Sequence, residues 1–182
     1  TDGFIKEDLG MLHKAESTMR RKREELKNSR RKEMIGFRKI DPEVAMEKNT
    51  WFHLGRNSCE EILYCLRRIA DPCEEHVDNN FVPLSKEQVK EYIPLRDTVL
   101  FLLRRTEKIL QTDSYDEVDE VRREAEELKD CLEKAREAQM QRMQSSKENI
   151  AVAYLYLNLL QETRELTSSL RHLLRASKGF RE

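Results

Sequence analysis

Between Asp116 and Gln144, the residues Val118, Val121, Ala125, Leu128, Leu132, Ala135 and Met143 recur at nearly heptad spacing, with charge on every other face. Side chains three and four apart share one face of a helix, so this stretch predicts an amphipathic helix packed along a single stripe. Four more stretches read the same way. One runs from about Phe4 to Lys39, with Leu9, Leu12, Ala15, Met19, Leu26, Met34 and Phe37 on its sparse apolar face. A second runs from Pro42 to about Phe81 through Trp51, Leu54, Ile62, Cys65, Leu66 and Ile69. A third follows Ser85 and carries Leu95, Val99, Leu102, Leu103 and Leu110. The last is nearly all apolar in its first half, so it is expected at the centre, ending at Gly179 as a C-cap.

The boundaries have local causes. Asp41-Pro42 ends one helix and starts the next, because the residue before proline is pushed away from helical angles. Ser85-Lys86-Glu87-Gln88 is a capping box. Pro94 is expected to kink or restart its helix. Ser145-Ser146-Lys147-Glu148 is expected to form a turn and cap. Only five glycines and four prolines interrupt 182 residues, and period-two runs of β-branched and aromatic residues are absent. The expectation is therefore an all-α, antiparallel bundle of about five long helices, forming one domain over residues 1–182. Helices of this length make a rod of roughly 40–60 Å at 1.5 Å per residue.

Charge is unevenly placed although the formal net charge is −1. Lys14 to Lys39 holds eleven basic and four acidic residues, and Asp113 to Glu133 holds ten acidic and three basic. The basic segment includes Arg20, Arg21, Lys22, Arg23, Arg30, Arg31 and Lys32. It reads as a solvated face, as a surface for anionic lipid headgroups, or as a contact for a protein partner, including the acidic face of a second copy in a homodimer. Nucleic acid is not an expected partner, since the basic run lacks interleaved aromatics. Four cysteines at 59, 65, 73 and 131 form no metal-module spacing and read as reduced thiols.

One stretch raises the question of a metal. Cys73-Glu74-Glu75-His76-Val77-Asp78 places five ligand-type residues together. On a helix they diverge, so Glu74, His76 and Asp78 would need ligands from a second helix such as Glu162 or His172. The competing reading re-caps a kinked helix at Asp71, with Pro72 in its first position and Glu74 completing a capping box. Asn158, Glu162 and His172 lie near the buried face of the last helix, where polar groups need partners, and an interhelical network with the second helix is expected. No catalytic constellation and no phosphate loop is found, and no cofactor is expected.

The segments CLRRIADPCEEHVDNN and AYLYLNLLQETRELTSSLRHLLRAS resemble the third helices of the two repeats in PhoU-like proteins. NTWFHLGRNSCEEI, EEHVDNNFVPLS and the closing YLYLNLLQETRELTSSLRHLLRASKGF resemble the C-terminal soluble domain of bacterial sodium/phosphate cotransporter-family membrane proteins. The resemblance covers most of residues 43–180. It implies two side-by-side helical bundles, with half-repeats at 1–84 and 85–182 and one helix missing from the first. It also implies a non-catalytic regulatory domain at the cytoplasmic face of the bacterial inner membrane, with the transmembrane part of the same transporter as partner. PhoU-like proteins bind metal clusters through E-x-x-x-D. Here those positions hold Arg67 and Asp71 in one copy and Arg164 and Ser168 in the other, and a guanidinium does not ligate metal. The alternatives are a carboxylate metalloprotein and a free-standing helical scaffold.

Overall fold

The computed structural model describes residues 1–145 and 148–182, without the side chains of Arg31, Met34, Phe37 and Ser145. The described residues form six helices: α1 (Asp2–Ile5), α2 (Leu9–Phe37), α3 (Pro42–Asp78), α4 (Lys86–Thr112), α5 (Val118–Ser145) and α6 (Ile150–Arg181). No strand is found among them.

The count exceeds the expected five because the first stretch is broken near its start. Glu7 adopts a left-handed φ of 51°, and the Asp8 carboxylate then accepts from the Met11 N–H at 3.0 Å to start α2. Gly3 permits the tight fold-back, since a Cβ there would lie 2.9 Å from the Met11 Cβ. The Asp41 carboxylate caps α3 by accepting from the Glu43 N–H at 2.9 Å, with Pro42 in the first turn.

Neither internal proline restarts its helix. α3 runs through Pro72 to Asp78, so Asp71 is not a new cap; its carboxylate accepts from Arg67 Nε four residues back at 2.8 Å. α4 runs through Pro94. The carbonyl that Pro94 frees belongs to exposed Lys90, where water can serve it. Both arms of the Ser85–Gln88 capping box are present, at 2.9 and 3.1 Å. α6 starts at Asn149, whose Oδ1 accepts from the Ala151 and Val152 N–H groups, while Ser146 and Lys147 of the expected turn lie outside the described residues. α6 does not stop at Gly179 but continues to Arg181. That glycine makes room for the Trp51 ring, whose atoms would be 2.6 Å from a Cβ.

α3 and α6 are the central pair and run antiparallel. Trp51 of α3 sits beside Gly179, Gly55 beside Ala176, and Arg68 beside Glu162. α4 and α5 pack on α6 and on each other, which makes the second half a three-helix bundle. α2 lies antiparallel along the other side of α3, in register through His13–Glu74 and Glu33–Arg56. α1 tucks in at the same end as Glu74: Phe4 meets the His76 ring edge-on and Asp2 pairs with Arg96 of α4.

Burial follows this order. α6 supplies Leu159, Leu160, Leu166, Leu170 and Leu174 to the core. α5 contributes a strict three-four stripe from Val118 to Ala135, which Gln139 continues at 0% exposure. On α2 only Leu12 is buried among the described side chains. No helix among the described residues is long and apolar enough to cross a membrane.

Candidate functional site

The Cys73–Asp78 stretch disperses around α3. Cys73 is fully buried, and removal from water pushes its thiol up to about 12. Buried His76 donates from Nε2 to the Val82 carbonyl at 2.7 Å and packs edge-on against Phe4 and Phe81. Glu74 faces α2 and pairs with His13 at 3.2 Å, while Asp78 is exposed. Among the described residues no three His, Cys, Asp or Glu side chains gather to hold a metal ion.

The seam between α3 and α6 is polar at one level. Arg68 Nε donates to Glu162 Oε2 at 2.7 Å, and its Nη2 donates to Glu61 at 3.2 Å. The guanidinium also lies 4.2 Å from the Tyr64 ring centroid, a cation–π contact. Pro72 has no N–H, so the carbonyl of Arg68, four residues back, lacks its helical donor. Asn158 Nδ2 of α6 donates to that carbonyl at 3.2 Å. Cys65 abuts the same cluster, and burial, then the Glu61 charge, raise its thiol to about 11.

Of the three polar residues on α6, Asn158 and Glu162 thus meet α3, while His172 is exposed and does not join them. The residue that links them, Arg68, was not singled out by the sequence. Its signal was available, however, since it stands four before Pro72. The degenerate motif positions do other work. Arg67 and Asp71 pair with each other on an exposed face. Arg164 reaches toward Glu133 of α5 at 4.0 Å, and Ser168 is half-buried.

A second polar cluster joins α4, α5 and the start of α6. Gln88 Nε2 donates to Glu148 at 2.8 Å, and Gln139 Nε2 donates to the other Glu148 oxygen at 2.7 Å. Arg142 donates to Gln139 and to Glu91, and the Tyr156 hydroxyl donates to the same Glu91 oxygen at 2.7 Å. Beside it, burial pushes the Tyr92 phenol up to about 12.

A cleft of about 1210 Å³ lies between α2 and α3. Arg20, Arg23, Lys27 and Arg30 line its α2 wall. Arg21 and Lys22 point elsewhere and pair with Glu25. Lys32 is exposed, and the side chain of Arg31 lies outside the described residues. Several carboxylates of the acidic segment that runs into α5 are held by neighbouring helices. Arg105 of α4 binds Glu117, Glu120 and Glu124 at 2.8–3.0 Å, and Arg171 of α6 binds Glu126.

The chain matches no protein-family model, no curated protein and no solved structure.

Proposed function

We propose that this chain is a non-catalytic, PhoU-like regulatory domain that docks on the membrane part of a sodium/phosphate cotransporter-family protein at the cytoplasmic face. There it modulates phosphate transport or phosphate sensing. The observation that carries the reading is the pairing of α3 with α6. These are the two helices whose sequences resemble the third helices of PhoU-like repeats, and they lie side by side as the centre of the molecule.

Two further features support it. The second half is a three-helix bundle, whereas the first has two long helices and the single turn of α1, so one side of the α2–α3 pair stands open. The polar side chains of the α3–α6 seam bind one another across the two helices, which suits a scaffold.

The test is labelled-phosphate uptake by cells expressing the full-length protein that carries this domain, with and without residues 1–182. A changed uptake rate or a changed response to external phosphate supports the reading. Identical uptake, or a full-length protein with no transmembrane helices, overturns it.

A further inference from the structure

Between Lys14 and Lys39, ten lysines and arginines are exposed against two exposed carboxylates, Glu24 and Glu25, among the described side chains. The packing of α2 produces this ratio. The segment has two more acids, but Glu16 and Glu33 are half-buried on the side toward α3, where Glu33 binds Arg56. Glu24 is held within α2 by Lys27, and Glu25 by Arg21 and Lys22. The side turned away from α3 has a stripe of its own. Leu12 and Met19 mark the inner side, and a step of two residues is about 200° of helical turn. Lys14 and Arg21 follow them by two, and Lys32, eleven beyond Arg21, returns to the same line.

The fold also separates this charge from its opposite. α2 packs on α3 and α5 packs on α6, so the basic and acidic helices flank different members of the central pair and do not pack on each other. The carboxylates of α3 that line the cleft stand behind α2 when it is viewed from outside. Packed helices lie about 8–10 Å apart, a full Debye length at physiological ionic strength. A charged plane laid on the outer side of α2 is therefore drawn by its cations more than it is repelled by those carboxylates, whereas a ligand inside the cleft meets both.

The apolar residues select the kind of partner. From Lys14 to Lys32 no exposed residue is apolar beyond Ala15, so this face lacks the anchor that a protein interface buries. No exposed aromatic stands there for a base to stack on. At the end of the run Ile35 and Ile40 are 48% and 43% exposed, beside Lys32, Arg38 and Lys39. Cations along a helix with aliphatic side chains at its end suit lipid headgroups and the acyl boundary beneath them. Asp41, Glu43 and Glu47, at the start of α3, close the patch on that side.

We infer that the outer side of α2, from Lys14 to Ile40, lies on an anionic lipid bilayer. Lys14, Arg21 and Lys32 face the headgroup phosphates, Ile35 and Ile40 enter the interface, and acidic α5 is held away from the surface. The inference rests on the proposed membrane-side location and adds a lipid contact to the protein contact proposed there.

The test is co-sedimentation of the 182-residue protein with vesicles of phosphatidylcholine, alone or with about 30% phosphatidylglycerol. Binding to the anionic vesicles is expected to be at least about tenfold tighter and to weaken as salt rises. K14E/R21E/K32E is expected to weaken it about a hundredfold. K90E/R104E/K134E changes net charge equally at exposed cations of α4 and α5 and is expected to bind like the parent. I35S/I40S is expected to bind about three- to tenfold more weakly with the same salt dependence.

All the substituted side chains are exposed, and thermal melts matching the parent's distinguish lost binding from lost folding. Equal binding to both vesicle types overturns the inference, as does an equal loss in K90E/R104E/K134E. So does binding to soluble polyglutamate or duplex DNA, lost in K14E/R21E/K32E, with none to vesicles. Phosphate uptake is not read here. Vesicle binding with unchanged uptake removes the proposed regulation alone, and altered uptake without vesicle binding removes this inference alone.

Discussion

Asn158 Nδ2 of α6 donates to the carbonyl of Arg68 on α3 at 3.2 Å, and that carbonyl is the one Pro72 deprives of its helical partner. A proline inside a long helix is thereby tolerated, and the defect becomes a fixed point between the two central helices. Replacing Asn158 with leucine is expected to cost about 1–2 kcal/mol, the penalty of a partly buried carbonyl left unpaired. In a Pro72→Ala background the alanine N–H satisfies Arg68, and the same replacement is expected to cost much less. Urea denaturation of the four proteins measures the coupling; additive effects would show that Asn158 does not serve the proline defect.

Glu162, nearly buried, faces Arg68, which is about one-third exposed and also reaches Glu61. Glu162→Ala is therefore expected to cost about 1–3 kcal/mol, less than a fully buried pair because water screens the arginine. The double replacement Arg68→Met with Glu162→Leu is expected to recover most of that loss, since it leaves no charge unpaired at the seam. Thermal melts of the single and double variants decide it, and a double variant worse than Glu162→Ala would contradict the expectation.

Gln139 is fully buried; its amide donates to Glu148, and its oxygen accepts from Gln88 and Arg142. Gln139→Leu keeps the volume and removes both the donor and the acceptor. The expected loss is about 2–3 kcal/mol, from polar partners left behind rather than from packing. A loss under about half a kcal/mol in urea denaturation would mean water replaces the amide.

The thiols are expected to sort by burial. Cys131 is exposed and should react at once with an aromatic disulfide reagent near pH 8, whereas Cys65 and Cys73 should react only on unfolding. The same burial makes stability pH-dependent. Their folded values, about 11 and about 12, exceed the unfolded value of 9.0, so above pH 9 the unfolded chain loses protons that the folded chain keeps. Stability is thus full below pH 9 and falls as pH rises through 11 to 12. Rapid labelling of three or more thiols in the native protein would refute the burial of at least one of Cys65 and Cys73.

Periodicity located the long helical stretches because each lays a continuous apolar stripe against the core, as in Val118 to Ala135. It could not locate the break after α1, because that rests on a left-handed glutamate, Glu7, and on Asp8 as a cap. Pro72 and Pro94 read as breaks because the sequence does not show what receives the freed carbonyls. Gly179 read as a helix end because nothing local announces a tryptophan ring from Trp51, more than a hundred residues earlier. The polar residues of the seam were half legible. Asn158 and Glu162 stand out on a buried face, but their partner Arg68 emerges only once α3 is set in register against α6. The basic run of α2 was visible as charge, while its division between a cleft wall and an outer face needed the α2–α3 packing.

The residues joined across the α3–α6 seam lie 90 and 94 positions apart in the chain, whereas Arg105 and Glu124, which join α4 to α5, are 19 apart. Closing a longer loop costs more entropy, and that cost falls before the contact rewards it. The order of assembly is therefore expected to run from the second half to the first: α4, α5 and α6 collapse together, and the α2–α3 hairpin attaches afterwards. On the way out the sequence reverses. α2, with its single buried described side chain, should shed amide protection at denaturant concentrations where α6 still holds its protons, releasing the cleft as a unit while the rest of the molecule stays folded.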